Sequence, residues 1–292
     1  MCFASRAVRV LSVVFMVGAV VPACAVSARL RPETVDTWNA YVKATEERIE
    51  SELESGWGFL IQDFDSQSEQ AREQVLSGEL VMAPMETIDD EGNGIPIPNG
   101  RIHHWRGSVF IPGVNLEQYL YRAQNPLEDG SHHPDVLEYR VLEKKPDELK
   151  IYIKMIRQKF VTVAYSTEHH LTFQRHGEGR ASSRSEATKI AELVDVGKMM
   201  EREKPVGEDR GFMWRLNSYW RYEEVDGGLI VEGETLLLSR DIPGILEPFI
   251  KPLIIRSAQE MLGNTLEEIK ENQTTREIAQ VQEIDRTSAR NP

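Results

Sequence analysis

Histidine is the residue type whose distribution first suggests chemistry in this sequence. Six of the seven histidines lie in adjacent pairs, His103-His104, His132-His133 and His169-His170. Neighbouring residues of a strand point to opposite faces, so the two members of a pair cannot hold a metal ion together. The sequence has no His-Glu-x-x-His motif, and both cysteines, Cys2 and Cys24, lie near the N-terminus. We therefore predict no metal site and no cofactor, and the absence of a Gly-x-Ser-x-Gly motif leaves nucleophilic catalysis unsupported.

A second candidate site combines His169 with Arg184 and Glu186, which lie on the two strands of a predicted hairpin. If the hairpin loop has two or four residues, Arg184 and Glu186 share a face with His169, Leu171 and Phe173. Charged groups on a buried face must be paired or must meet a ligand. Arg184 would then suit a carboxylate or phosphate head group, because its planar fork binds two oxygens. A three-residue loop reverses the parity and places all three charges in solvent, so the sequence leaves both alternatives open.

The last predicted hairpin turns at Asp226-Gly227, a strong two-residue turn signal. One face of its strands carries large apolar side chains, namely Trp214, Leu216, Trp220 and Tyr222. Trp220 lies opposite Gly233, which leaves room for the indole to lie across the strand. On the other face Arg221 lies opposite Glu232, which we interpret as a solvent-exposed cross-strand pair. The apolar face predicts a ligand-facing wall, although each aromatic residue could instead pack a core.

Hydrophobic periodicity places these residues in an α+β protein. Residues 31–53 predict an amphipathic helix, residues 58–64 a short strand, and residues 65–100 an irregular connection with one helix and one strand. Antiparallel strands are predicted over residues 102–111, 136–142, 149–155, 160–175, 180–193, 212–224 and 229–238. A short helix interrupts them, and Asn115 and Gln118 are spaced to form its capping box. A long amphipathic helix from Pro252 to Glu271, with Met261 in its apolar stripe, precedes a polar tail over residues 273–292.

The N-terminal residues predict the compartment. Arg6 and Arg9 precede an apolar run over residues 10–21, which is followed by Pro22 and small residues. This order is typical of a signal peptide, and the run is too short for a membrane anchor. We assign residues 1–25 to the signal peptide, with a lipid tether at Cys24 as an alternative. We expect an exported monomer, periplasmic or extracellular, without a transmembrane segment. The net charge of −13 argues against nucleic acid as a partner.

The element order over residues 101–271 resembles the helix-grip fold of the START, Bet v 1 and polyketide-cyclase superfamily. Residues 180–185, 207–212 and 214–222 look like the corresponding runs of a group of exported bacterial members. The resemblance implies a curved antiparallel sheet wrapped around a long C-terminal helix, in a domain over residues 101–272. Residues 32–100 would form an N-terminal helical extension. The resemblance carries no catalytic motif.

Three functional hypotheses follow. The leading one is a protein that binds a hydrophobic or lipid-like molecule between the sheet and the C-terminal helix, and it rests largely on the fold. The predicted ligand contacts are Arg184, His169, Glu186, Phe173, Trp214, Leu216, Trp220, Tyr222 and Met261. The first alternative is a cyclase-, isomerase- or hydrolase-like enzyme that uses His169 with Glu186 for proton transfer in the same cavity. The second alternative is an envelope protein-interaction module, which requires Trp38 and Tyr41 to be exposed.

Overall fold

The structure is a computed structural model that describes residues 28–89, 91–126, 135–158 and 162–241, together with residues 256, 259–267 and 269–271. The predictions for the signal peptide, for Cys24, for His132-His133, for the first turn of the C-terminal helix and for the tail over residues 273–292 lie outside the described residues.

The described residues form mainly antiparallel strands. In chain order these are β1 (Ala28–Arg29), β2 (Val81–Pro84), β3 (Gly100–Pro112), β4 (Val136–Lys145), β5 (Glu148–Gln158), β6 (Thr162–Arg175), β7 (Arg180–Val194), β8 (Arg202–Glu203), β9 (Glu208–Asp209), β10 (Arg215–Val225) and β11 (Gly228–Arg240). The main sheet has the spatial order β2-β3-β11-β10-β7-β6-β5-β4, with β8 beside β7, and β1 pairs with β9. The strands predicted from residue 102 to residue 238 are confirmed, with ends that differ by a few residues.

The helices are α1 (Pro32–Glu54), α2 (Ser68–Leu76), α3 (Leu116–Gln124) and α4, which is helical at residues 259–267 and 269–271. The capping box of α3 is confirmed, because the backbone N–H of Gln118 donates to Asn115 Oδ1 at 2.8 Å. The strand predicted over residues 58–64 is wrong. Asp63 accepts hydrogen bonds from the backbone N–H groups of Phe59 and Leu60, both at 2.9 Å, which turns the chain into a short 3-10 helix (Ile61–Phe64).

The hairpin of β10 and β11 has the predicted register. Trp220 pairs with Gly233 and Tyr222 with Val231, on either side of the turn that contains Gly227 at a φ of 84°. A positive φ at this position suits glycine because it has no Cβ. The alternation of the two strands therefore fixes which side chains share a face.

One face of the sheet packs against α4 and is called here the concave face. Leu262 and Leu266 of α4 belong to a buried cluster with Val109, Tyr222 and Val231 of the sheet. This cluster removes the apolar stripe of α4 from water, which is the main stabilising contribution available to such a helix. The predicted fold class is confirmed: the protein has an α+β, helix-grip arrangement.

The opposite face, called here the outer face, is covered by α1. Trp38 and Tyr41 of α1 are only 3% and 4% exposed and pack with Leu236 and Leu238 of β11. The prediction that this face of β10 and β11 is exposed to solvent is therefore wrong. The exposure of Trp38 and Tyr41 that the interaction-module hypothesis required is also contradicted.

Gly233 gives a first testable prediction about packing. A Cβ atom added there would lie 2.6 Å from Trp220 Cζ3, so the indole would have to move off the strand. We expect Gly233→Ala to lower the free energy of unfolding by about 1–3 kcal/mol, the usual cost of overpacking. The measurement is chemical unfolding, with Gly263→Ala of α4 as the control, because its nearest neighbour would lie at 3.6 Å. Equal stability of the two variants would contradict the packing of Trp220 against Gly233.

Candidate ligand-binding site

Small side chains occupy the centre of the concave face. Alternate residues of β7 point to this face, and four of them in succession are small: Ala181, Ser183, Ser185 and Ala187. The register aligns Ser185 with Ser218 of β10. Small side chains project little from a sheet, so this part of the concave face is set back from α4.

Larger apolar side chains surround this small-residue centre. Five of the predicted contacts lie here, and they are called the concave wall: Phe173, Leu216, Trp220, Tyr222 and Met261. Tyr222 is buried and its hydroxyl is 2.7 Å from Ser183 Oγ. The other four are only partly buried although they pack against the core clusters. Partly exposed apolar side chains beside a set-back surface are what an apolar ligand would contact.

Arg184 and Glu186 do not lie on the concave face. The strand pairing joins Phe173 to Ser183 and Thr172 to Arg184, so the hairpin loop has three residues and the parity is reversed. On the outer face, the Arg184 guanidinium lies 2.8 Å from Glu46 and 3.5 Å from Glu186. The assignment of these two charges to the ligand site is therefore corrected.

His169 keeps its predicted place on the concave face, opposite Ala187, and is 7% exposed. Its Nε2 lies 3.0 Å from Thr167 Oγ1, and burial lowers its pKa to about 4. The sequence analysis predicted that a three-residue loop would place His169 in solvent, and for His169 that prediction is wrong. Because Glu186 lies on the opposite face, the proposed proton-transfer pair of His169 and Glu186 does not form.

Trp214 also lies outside the concave wall. The pairing of β10 with β11 begins one residue later, at Arg215 and Leu238, so the alternation of β10 does not extend to Trp214. Its indole N–H donates to Asp209 Oδ1 at 3.0 Å, and its ring packs with Trp38 and Tyr41. The prediction for Trp214 is corrected for this reason.

A groove of about 200 Å³ lies elsewhere, between α1 and the outer face of β7 and β10. It is lined by polar side chains that include Asn39, Glu186, Lys189 and Arg215. Its polar lining does not suit an apolar ligand, so it is distinct from the site around the concave wall.

The buried histidines of the concave face predict a pH dependence. His103 is 5% exposed, and burial together with the charge of Arg101 lowers its pKa to about 4, as burial does for His169. Unfolded histidines bind protons near pH 6.5, so between about pH 6.5 and about pH 4 the unfolded state gains protons that the folded state does not bind. As the pH is lowered through this window, the free energy of unfolding should therefore decrease. At about pH 5 the loss relative to neutral pH should be about 2 kcal/mol per histidine.

Urea unfolding of His169→Gln at about pH 7 and about pH 5 checks this expectation. The variant should lose less stability between the two pH values than the parent chain. Thr172→Val, on the outer face of the same strand, is the control and should behave like the parent, because it removes no titratable group. The same pH dependence in all three proteins would contradict a neutral buried His169. Carboxyl groups with lowered pKa, such as that of Glu192, begin to lose their contribution when the pH falls to the usual carboxyl pKa of 4.5, below the two pH values compared.

The sequence analysis missed an extensive set of buried charges on the outer face. Glu234 Oε1 lies 2.6 Å from His104 Nε2, and the same carboxylate contacts the guanidinium of Arg48 of α1. His104 Nδ1 lies 2.8 Å from the Tyr41 hydroxyl. Burial alone raises the pKa of Glu234, but the His104 hydrogen bond and the charge of Arg48 hold it below its usual value. A cation from α1 therefore compensates a carboxylate of the sheet.

Glu232 and Arg221 form the second half of this set. Glu232 accepts hydrogen bonds from Ser108 Oγ at 2.9 Å and from the backbone N–H of Gln62 at 3.1 Å. Arg221 donates to Glu52 Oε2 at 2.6 Å and to the carbonyl oxygen of Phe59 at 2.9 Å. Burial raises the pKa of Glu232, and the charge of Arg221 opposes this. We name Arg48, Glu52, His104, Arg221, Glu232 and Glu234 the outer ion network.

Two further observations concern the ranges that the structure describes. No group of three or more His, Cys, Asp or Glu side chains in those ranges is placed to hold a metal ion. Within the same ranges, no helix combines the length and apolar character needed to cross a membrane.

Several solved structures are similar to the structure of this chain. No protein-family model matches the chain, and no curated protein matches it. A STAR-related lipid transfer protein from Xanthomonas axonopodis is 15% identical, with 65% of this chain and 97% of that chain covered and a TM-score of 0.41. The lipid transfer and protein localization domain of human StarD13 is 8% identical, with 71% and 96% covered and a TM-score of 0.40. The Zhui aromatase/cyclase from Streptomyces is 11% identical, with 59% and 93% covered and a TM-score of 0.34.

The chain has an α+β fold of mainly antiparallel strands. Its own architecture, a curved antiparallel sheet with a helix against the concave face, places it in the helix-grip class. The outer ion network joins the helix α1 to the face of the sheet opposite α4.

Proposed function

We propose that the chain is an exported protein that binds a hydrophobic or lipid-like small molecule between the concave wall and α4. The observation that carries this proposal is the small-residue centre, from Ala181 to Ala187 on β7, surrounded by apolar side chains that are only partly buried. A well-packed core places large side chains opposite small ones, and here the large ones remain partly open to solvent. A ligand in this position would complete the packing.

The proposed export rests on the N-terminal residues. The basic residues Arg6 and Arg9, the apolar run over residues 10–21 and the small residues after Pro22 together support secretion through a cleaved signal peptide. A protein without cysteines after residue 24 needs no disulfide in an oxidising compartment. An apolar ligand would give such a protein a carrier function outside the cytoplasm.

A dye titration tests the binding proposal. The processed chain is titrated with an uncharged fluorescent dye such as N-phenylnaphthylamine, whose emission rises when it enters an apolar site. We expect saturable binding with one dye per chain, and displacement by long-chain lipids that do not fluoresce. Emission that rises without saturation, or that no lipid of a broad panel reduces, would contradict the proposal.

A further inference from the structure

A row of hydroxyl groups crosses the middle of the concave face. The strand pairing places Thr235 of β11 opposite Ser218 of β10, Ser218 opposite Ser185 of β7, and Ser185 opposite Leu171 of β6. His169 follows on the same face of β6, two residues from Leu171. We name Ser185, Ser218, Thr235 and His169 the polar row.

The polar row lies between two apolar clusters. On one side is the cluster of Trp220, Phe173 and Leu266. On the other side is the cluster of Leu216 and Met261. An elongated apolar molecule held by both clusters would pass over the polar row.

The polar row has hydrogen-bonding capacity to spare. Ser218 Oγ and Thr235 Oγ1 are 3.4 Å apart, which is long for a hydroxyl pair. Within the described part of the chain, Ser185 Oγ has no hydrogen-bond partner, and its residue is only partly buried. A hydroxyl group offers one donor and two acceptor positions. A ligand oxygen above Ser185 and Ser218 would fill positions that the described protein groups leave open.

Two arginines that the strand register places on the concave face, Arg157 and Arg101, each have a carboxylate neighbour. Arg157 lies 3.7 Å from Glu260, and Arg101 lies 3.5 Å from Asp241. At the end of β7, Glu192 is held by Arg210 at 2.7 Å and Lys204 at 2.8 Å. Arg184, the predicted partner of an acidic head group, lies on the outer face. Lys144 of the edge strand β4 lies on the same face, but β5 and β6 separate it from Ser185, and it donates to Asn125 Oδ1. A carboxylate or phosphate above Ser185 and Ser218 would therefore meet hydroxyl groups and no adjacent cation of the described residues, and burying such a group unpaired is costly.

We propose that the polar row is the anchor for an uncharged oxygen-bearing group, a hydroxyl or a carbonyl, on an elongated apolar ligand. The inference deepens the proposed function and rests on it. It replaces the acidic head group that the sequence suggested with a neutral one. Selection would come from hydrogen bonds in a partly buried site, where an ion would lose its hydration without gaining a counter-ion.

Competition between two ligands of equal chain length tests the inference. Tetradecanol and tetradecanoate are each titrated against the bound naphthylamine dye at neutral pH, where the acid is ionised in water. We expect the alcohol to displace the dye with at least about tenfold higher affinity. Equal affinity, or tighter binding of the acid, would overturn the inference while the dye binding keeps the proposed function intact.

A double variant assigns the preference to the polar row. Ser185→Ala combined with Ser218→Ala should weaken binding of the alcohol about three- to tenfold, because two hydroxyl partners are lost. The dye carries no hydroxyl or carbonyl group, so the ratio of alcohol affinity to dye affinity is the quantity that should fall. Thr172→Val, on the outer face of β6, is the control and should leave both affinities unchanged. Unaltered alcohol binding in the double variant would overturn the inference, and absence of dye binding in the parent chain would overturn the proposed function with it.

Discussion

Arg221→Met is expected to lower the free energy of unfolding by about 3–5 kcal/mol, the usual cost of removing one partner from a buried ion pair. Arg221 is 2% exposed, and its two hydrogen bonds join the sheet to Glu52 and to the carbonyl oxygen of Phe59. Methionine can fill much of the same space, but it leaves Glu52 without this cation and Glu232 with Arg106 as its remaining positive neighbour. Chemical unfolding followed by circular dichroism measures the change.

Arg184→Met is the matched control for this variant. Arg184 also lies on the outer face and also contacts a glutamate of α1, but its side chain is 43% exposed. Exposed ion pairs contribute little, so we expect a loss below about 1 kcal/mol. If the two variants lost the same free energy of unfolding, this would contradict a stabilising role of the outer ion network between α1 and the sheet.

Trp220→Glu is expected to reduce binding of an apolar ligand by at least about a hundredfold, because a carboxylate in the concave wall must be desolvated before the ligand can enter. Trp220 of the concave wall lies against Gly233 and is only partly buried. The measurement is the dye titration described above, with circular dichroism to verify that the variant is folded.

Trp57→Glu supplies the control for that experiment. Trp57 is 69% exposed and lies outside the concave wall, so the same change of residue type should leave dye affinity unchanged. A folded Trp220→Glu protein that binds the dye as tightly as the Trp57→Glu protein would place the ligand elsewhere.

The strand pattern of the sheet could be predicted because it depends on neighbours in the sequence. The Asp226-Gly227 turn fixed the register of β10 and β11, and the alternation of Trp220 and Tyr222 followed from it. The middle hairpin was less certain because its register depends on whether the loop has two, three or four residues. A difference of one residue moved Arg184 and Glu186 from the predicted site to the opposite face.

The role of α1 could not be predicted from local patterns. Arg221 lies opposite Glu232 on the paired strands β10 and β11. This pairing is the same whether the outer face is exposed to solvent or covered by a helix. Their burial depends on contacts with Glu52 and Gln62, which are more than 150 residues away in the chain. The small residues at alternate positions of β7 are visible in the sequence, but the polar row depends on how the neighbouring strands are aligned.

The central claim is that an apolar molecule occupies the space above the concave wall. Native mass spectrometry of the processed protein, purified from the cell fraction in which it accumulates, tests this claim most directly. We expect a stoichiometric adduct that solvent extraction releases as an uncharged, oxygen-bearing apolar compound, and that the Trp220→Glu protein lacks. A protein of unliganded mass that also binds no member of a lipid panel would contradict the claim.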